Sequence, residues 1–179
     1  MYILGLESSC DETSAAIVEM ADGKRRILAN IIASQIDIHR LYGGVVPEIA
    51  GRAHIEAVTR ITREALDAAN LSLSDIGLCA VTARPGLIGA LPVAVNFAKG
   101  LAMSLDKPLV EVNHLQGHIL ANFIKQYDSD NRQPEFPYLC LLVSGGNSQI
   151  VKVNSPLDYE ILGQTIDDAV GEAFDKCSK

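Results

Sequence analysis

The sequence has no C-x-x-C pair, no twenty-residue apolar run, no low-complexity tract and no excess of base over acid. Each lack removes a class of protein. Without a long apolar run there is no transmembrane helix. The opening "MYILGLESSC" has no basic leader and reaches an acid at Glu7, so it does not read as a signal peptide, and a cytoplasmic protein is expected. The four cysteines, Cys10, Cys79, Cys140 and Cys177, lie far apart, and three sit in or beside apolar segments. Without a secretory context they read as buried, reduced thiols rather than disulfides or a cysteine zinc site. A net charge of −7 argues against the whole surface being a nucleic-acid platform, because phosphate binding needs a local basic excess. It leaves room for a basic patch or for a partner that supplies one. What is present is apolar: 48% of 179 residues, enough to bury the core of one good-sized domain, or of one domain and the beginning of another.

Hydrophobic periodicity divides the chain. Tyr2–Leu6, Ser14–Met20 and Arg26–Ser34 read as strands, and the Asp-Gly of "ADGK" marks an antiparallel hairpin. Pro47 suits the first turn of a long helix. On that helix Arg52, Glu56, Arg60, Arg63 and Asp67 form one stripe, with Val58, Ile61 and Ala65 off it. The spacing predicts Glu56–Arg60 and Arg63–Asp67 pairs, so these arginines do not read as a nucleic-acid patch. Ile76–Thr82 is a predicted strand, and "ARPGLIGALP" a tight loop that could also line a substrate channel. Val93–Leu105 is a helix apolar or small almost all round, which predicts full burial. Leu109–Val112 is a strand, and Asn113 is placed to cap a helix carrying His114 and His118. "YDSDNRQPEFP" reads as a linker or surface loop. Tyr138–Val143, Ser148–Val153 and Tyr159–Thr165 are predicted strands, followed by a helix from Asp167 onward.

The order is βββαβαβα and then βββα again. "YILGLESS" and "YLCLLVSG" open the two series alike, which reads as an internal duplication with its second copy cut short. The expected organisation is a first lobe over residues 1–130, then a linker and the start of a second lobe over 131–179. "FDKCSK" has neither cap nor glycine, so the chain is expected to be the N-terminal part of a longer protein.

The duplicated strand–turn–strand elements carry the first chemical reading. A turn of small residues lets backbone N–H groups reach phosphate oxygens, and Gly145 and Gly146 permit close approach because they lack a Cβ. Ser144 and Asn147 add side-chain donors. In the first copy Ser8, Ser9 and Thr13 read as donors, and Asp11 and Glu12 as holders of magnesium or water. A lone Gly-Gly between strands is more often a hairpin turn; its pairing with "ESSCDET" strengthens the phosphate reading. Asp167 and Asp168 are read as acids favouring a helix N-terminus, whereas Asp175 lies late in that helix, where the dipole disfavours an acid and a ligand role is more attractive.

His114 and His118 are the second chemical reading. At i, i+4 both imidazoles share a helix face and can bind one metal, against the plainer alternative of a strand-end residue and a surface residue. Their place after a strand end, where open α/β folds put their sites, favours the metal. The residue after the first histidine is Leu115, not the glutamate that a zinc peptidase needs as general base, so proteolysis is disfavoured. His39 and His54 read as structural or surface residues.

Taken together, "LGLESSCDETSAAIV", "YGGVVPEIAGRAHI", "RPGLIGALPVAV", "VNHLQGH", "LLVSGGNSQIV" and "DDAVGEAFDK" resemble the TsaD family, formerly called the glycoprotease or O-sialoglycoprotein endopeptidase family. "YGGVVPE" is similar to its bacterial branch. The resemblance implies the α/β fold of the actin-like (ribonuclease H-like) ATPases, a mixed sheet with helices on both faces and a second lobe truncated here. It implies an acyltransferase that moves a threonylcarbamoyl group from threonylcarbamoyl-adenylate to N6 of the tRNA adenosine 3′ of the anticodon. By motif, His114 and His118 would be metal ligands, for iron or zinc. Leu142, Val143, Ser144, Gly145, Gly146 and Asp175 would contact the adenine nucleotide, possible ATP with magnesium included, and Ser9, Asp11 and Glu12 would lie at the first phosphate loop. The mixed anhydride is already activated, so no protein nucleophile is implied and Cys10 is not assigned as one. Implied partners are tRNA, an inactive paralogue of the same fold met through the helix after Pro47, and a small P-loop ATPase; no membrane is involved.

Two departures accompany the resemblance. Arg84 stands where its pattern leads one to expect glycine, and the family's further nucleotide motif and metal-completing aspartate would lie beyond residue 179, so this stretch alone is expected to be inactive. Three other readings compete. An actin-like ATPase or small-molecule kinase would share the turns but has no use for the histidine pair. A metallopeptidase lacks its base. A non-catalytic scaffold would not need His114, His118, the SGG turn and Asp175.

Overall fold

The computed structural model describes residues 1–124 and 133–178, which divide into two compact units, Met1–His114 with Ile124, and Leu115–Phe123 with residues 133–178. Residues 127–132 of the expected linker lie outside the described residues.

The first unit is built on a mixed five-stranded sheet. Strands β1 (Tyr2–Glu7), β2 (Glu12–Ala21) and β3 (Lys24–Ser34) form an antiparallel meander, and β4 (Ile76–Arg84) and β5 (Leu109–Asn113) join parallel to β1, giving the order β3-β2-β1-β4-β5. The β2–β3 turn is the Asp-Gly hairpin that the sequence predicts: Asp22 and Gly23 have φ of 51° and 71°, the left-handed pair that matches strand twist. A short helix α1 (Ile36–Arg40), too brief to leave a periodic signal, follows β3. Helix α2 (Pro47–Ala68) opens with Pro47 in its first turn, and α3 (Leu91–Leu105) supplies the second crossover.

Alternation places the core. Leu4 and Leu6 of β1, Ala15 and Ile17 of β2, and Cys79 and Val81 of β4 point to one face, where Ile61 and Ala65 of α2 and Ala94, Ala98 and Ala102 of α3 meet them. Each large side chain buried here contributes about 1.5–3 kcal/mol. The alanine ladder at i, i+4 brings α3 close to the sheet. Only that face of α3 is buried: Met103 on the other side is 82% exposed, which corrects the expectation of burial all round. The surface pairs on α2 also differ from the expected ones. Arg60 pairs with Glu64 and Arg52 with Glu48; exposed pairs like these contribute little, so small differences in side-chain packing decide between acids one turn either way.

The second unit holds a three-stranded antiparallel sheet, β6 (Tyr138–Val143), β7 (Ser148–Ser155) and β8 (Asp158–Gln164), in the order β6-β7-β8. Ile119, from helix α4 (His114–Leu120), packs with Val151 and Val153 and with Tyr138, Cys140 and Tyr159. Helix α5 spans Val170–Cys177, starting three residues later than expected. Asp167 and Asp168 therefore precede the helix; Asp168 instead pairs with Lys176, one face further along it. Each unit thus contains a three-strand antiparallel meander. All four cysteines are free, and only Cys79 is buried, which corrects the expectation for the other three.

Candidate functional site

Strands β1, β4 and β5 run parallel, so their C-terminal ends gather at one edge of the first unit. Three segments leave from that edge: the turn 8–11 after β1, the loop 85–90 after β4, and the start of α4 directly after β5. Such an edge is where open α/β sheets place ligands.

The charged centre of this edge is Glu7, the last residue of β1. Its carboxylate accepts the Ser9 backbone N–H through one oxygen and faces His114 Nδ1 through the other at 3.3 Å. Ser9 Oγ also lies 3.2 Å from His114 Nδ1. Burial alone would raise the Glu7 carboxyl, but hydrogen bonds from His114, Ser9 and Thr82 outweigh it and hold it down at about 2. The same Glu7 hydrogen bond raises His114 above its ordinary value, against the effect of burial. A carboxylate only accepts, so Nδ1 carries the proton toward Glu7 and Nε2 is the nitrogen with the lone pair. Metal-ligating histidines are held this way, with the second ring nitrogen donating to a carboxylate.

Sequence reasoning missed Glu7 and Thr82. The signal available was an acid closing an otherwise apolar strand; the histidine partner is 107 positions away and no local pattern points to it.

His114 and His118 occupy the first and fifth positions of α4, as predicted, although α4 begins straight from the end of β5. Among the described residues, no three or more His, Cys, Asp or Glu side chains gather into a metal-binding group, so the pair would need further donors.

The turn after β1 differs from its expected chemistry. Ser8 is fully buried, its hydroxyl donating to the Ala90 carbonyl and accepting the Ala94 N–H, so it satisfies the first turn of α3 rather than a ligand. Thr13 is buried with its hydroxyl 2.7 Å from His54 Nδ1. Side-chain donors are thus spent on the fold. Ser9 and Asp11 remain in the turn, Ser9 engaged with His114, and Glu12 opens β2 opposite Ser34. The loop 85–90 clamps this turn: the Leu87 N–H donates to the Ser9 carbonyl at 2.7 Å, and a Cβ on Gly86 would fall 2.6 Å from that same oxygen. Cys10 is exposed, yet burial of its thiol group, a hydrogen bond with Asp11 and nearby acids push it up to about 11. It stays protonated and is a poor nucleophile at neutral pH.

In the second unit the turn 144–147 is closed by its own ends. The Ser144 N–H donates to the Asn147 carbonyl at 2.8 Å, and the Asn147 N–H to Ser144 Oγ at 2.9 Å. The first turn of α5 docks on it, with the Gly171 N–H donating to the Ser144 carbonyl. A Cβ on Gly171 would lie 2.8 Å from Gly145 Cα, so the contact needs glycine. At Gly145 and Gly146 a Cβ would meet open space, and neither has a positive φ, so the fold itself does not demand glycine there. Leu142 is buried, Val143 is exposed, and Asp175 stands exposed in the last turn of α5.

A mixed sheet of this order with α/β crossovers, and a repeated three-strand meander, define an α/β protein with the actin-like (ribonuclease H-like) fold. Comparison narrows the class. The family profile described as tRNA N6-adenosine threonylcarbamoyltransferase, TsaD, matches residues 26–179. A protein of that name from Phocaeicola vulgatus is 55% identical over 177 residues, covering 99% of this chain and 51% of its own length. One from Porphyromonas gingivalis is 54% identical over 179 residues, 100% of this chain and 51% of its own. The chain belongs to the TsaD family, and spans about half the length of the curated relatives it matches. Among solved structures, YeaZ from Pseudomonas aeruginosa shares the fold, with a TM-score of 0.55 at 18% identity over 92% of this chain and 68% of that one.

Proposed function

We propose that the protein of which this chain is the whole or a part transfers a threonylcarbamoyl group from threonylcarbamoyl-adenylate to N6 of the tRNA adenosine 3′ of the anticodon. The observation that carries the reading is the Glu7–Ser9–His114 cluster at the sheet edge of a chain 55% identical to a named threonylcarbamoyltransferase. His114 and His118 would hold one metal ion, iron or zinc. The fit rests on His114, whose Nδ1 is turned to Glu7, so that Nε2 would be the coordinating nitrogen. Bound there, the ion would supply Lewis-acid polarisation of the acyl carbonyl.

The residues around it have separate tasks. The turn with Ser9, Asp11 and Glu12 presents backbone N–H groups to phosphate, and the acids take magnesium where ATP is the nucleotide. Leu142 to Gly146 and Asp175 contact the adenylate, with Leu142 able to do so only through its backbone because its side chain is buried. The open space over Gly145 and Gly146 supports that role. Leaving AMP is a good leaving group, so positioning rather than covalent catalysis carries the reaction. The residues 1–130 and 131–179 are read as a first lobe and the start of a second. Partners are tRNA, an inactive paralogue of the same fold bound through α2, and a small P-loop ATPase, in the cytoplasm. Among the described residues, no helix is long and apolar enough to cross a membrane.

The test is to deplete the gene that encodes this chain and to quantify N6-threonylcarbamoyladenosine in bulk tRNA by nucleoside mass spectrometry. The expected result is a fall that the intact gene restores and that His114→Ala or His118→Ala does not. An unchanged level in the absence of a second copy would move an actin-like ATPase or kinase to the front.

A further inference from the structure

Two histidines that the transfer reaction does not use, His39 and His54, lie buried in one continuous chain of hydrogen bonds with Gln35. His54 is 0% exposed and both partners 4%. The chain has a fixed direction. The Val46 N–H donates to His39 Nδ1 at 3.3 Å, so His39 carries its proton on Nε2. His39 Nε2 then donates to Gln35 Oε1 at 3.0 Å, which leaves Gln35 Nε2 as donor toward His54 Nδ1 at 3.3 Å. The Thr13 hydroxyl reaches the same nitrogen at 2.7 Å. His54 Nε2 donates at 3.1 Å to the Cys10 carbonyl, which only accepts. Both imidazoles are therefore neutral and of one tautomer; burial lowers His54 from its ordinary value, in keeping with this.

The far end of the relay lies in the turn after β1. Three successive carbonyls of that turn are held from inside the unit: Ser9 by the Leu87 N–H, Cys10 by His54 Nε2, and Asp11 by the Gln35 N–H. The peptide bonds that follow them are trans. In a trans peptide the C=O and the next N–H point in opposite directions. The N–H of each next residue therefore turns away from the group that holds the carbonyl before it, and the Asp11 N–H turns away from the buried His54. A backbone N–H turned out of the core in a tight turn is a donor of the kind that anion sites use. The serine and threonine hydroxyls that the sequence offered for this purpose are spent elsewhere.

We infer that His54, oriented by Gln35 and His39, is a positioning residue that fixes the Cys10–Asp11 peptide with the Asp11 amide turned out of the core to receive the phosphate of a nucleoside monophosphate group. The inference rests on the phosphate-turn part of the proposed function. It explains why a buried polar relay stands where an apolar side chain would pack without needing partners. It also ties the loop before Pro47 to the turn through Val46 and His39.

The experiment uses ¹⁵N-labelled protein, adenosine 5′-monophosphate as probe, and the variants His54→Leu and His54→Gln, the second of which keeps an amide donor near the Nε2 position. In the unmodified protein the ring nitrogens of His54 should show the neutral Nε2–H pattern. His54→Leu should shift the Asp11 and Glu12 amide signals and weaken probe binding about tenfold, and His54→Gln should recover it to within about threefold. The Nδ1–H tautomer, or His54→Leu binding the probe as the unmodified protein does, overturns the inference. Ring spectra need no variant, so a His54→Leu chain that fails to fold still leaves a decisive reading. If the unmodified protein does not bind the probe, while the tautomer and amide shifts appear as expected, the relay stands and the nucleotide reading falls.

Discussion

At the scale of single residues, the site is governed by which ring nitrogen faces what. Glu7 fixes Nδ1 of His114, and the physical effect of that hydrogen bond is to aim and enrich the opposite nitrogen. If the proposed metal binds here, Glu7→Gln, which keeps the shape but weakens the acceptor, should lower zinc affinity about tenfold or more, read by competition with a chromogenic chelator; unchanged affinity would remove Glu7 from the proposed site. His54 yields a pH signature of the opposite kind. Its imidazole is buried neutral, so its folded-state value lies below 6.5, lowered by burial and opposed by the Cys10 carbonyl, Glu7 and Asp11. Below pH 6.5 the unfolded chain binds a proton that the folded chain refuses, so stability falls with falling pH, by up to about 1.4 kcal/mol per pH unit, until the folded value is reached. His114, whose value is raised, contributes with the opposite sign in both proteins, so urea unfolding between pH 7 and 5 should show the parent losing more stability than His54→Gln as the pH falls. The sequence made the His114–His118 spacing legible because a helix writes i, i+4 directly. It left Glu7, Thr82 and the His39–Gln35–His54 relay unread, because their partners meet only through sheet register and helix docking.

At the scale of elements, the sequence is most readable where one local rule decides the outcome. Asp22–Gly23 makes the hairpin, Pro47 starts α2, and alternation assigns the inward face of β1 and β2. Where neighbours decide, reading stops: α1 is too short to have a period, α5 begins late because Thr165, Asp168 and Ser148 bond the chain ahead of it, and α3 buries only its alanine ladder. The glycines of the second turn separate the two kinds of cause. Gly171 is required by packing, since its Cβ would press on Gly145 Cα and the Ser144 carbonyl. Gly145 has open space around the same position. Gly171→Ala should therefore lower stability by about 1–3 kcal/mol through overpacking. Gly145→Ala should leave unfolding by urea within about 0.5 kcal/mol of the parent and lower nucleotide binding instead. Equal loss of stability in both would mean that the turn is a structural hairpin and no phosphate site.

At the scale of the whole molecule, the two units are unequally finished. In the first, β1 is paired on both edges, by β2 and β4, and two helices cover its inward residues. In the second, β6 pairs among the described residues with β7 alone, and Leu139, Leu141 and Ile150 lie exposed, Leu141 at 70%, with Leu141 and Ile150 directly opposite each other in the ladder. An open strand edge beside exposed apolar side chains is a template for pairing with another chain. The duplication that the sequence announced is thus present as two meanders, and the unequal coverage of the second could not be read from it, because alternation tells which residues share a face but not whether anything covers that face. The expected consequence is self-association of this 179-residue chain that grows with concentration, visible by sedimentation velocity. Leu141→Lys places a charge in the middle of the exposed ladder, where pairing would have to bury it, and should return the chain toward a monomer without loss of the Ile119–Val151–Val153 core on the other face. A monomeric parent chain at high concentration, or a lysine variant that associates as strongly as the parent, would show that the β6 edge is not the sticky surface and that the exposed apolar residues are tolerated singly, as they are on most proteins.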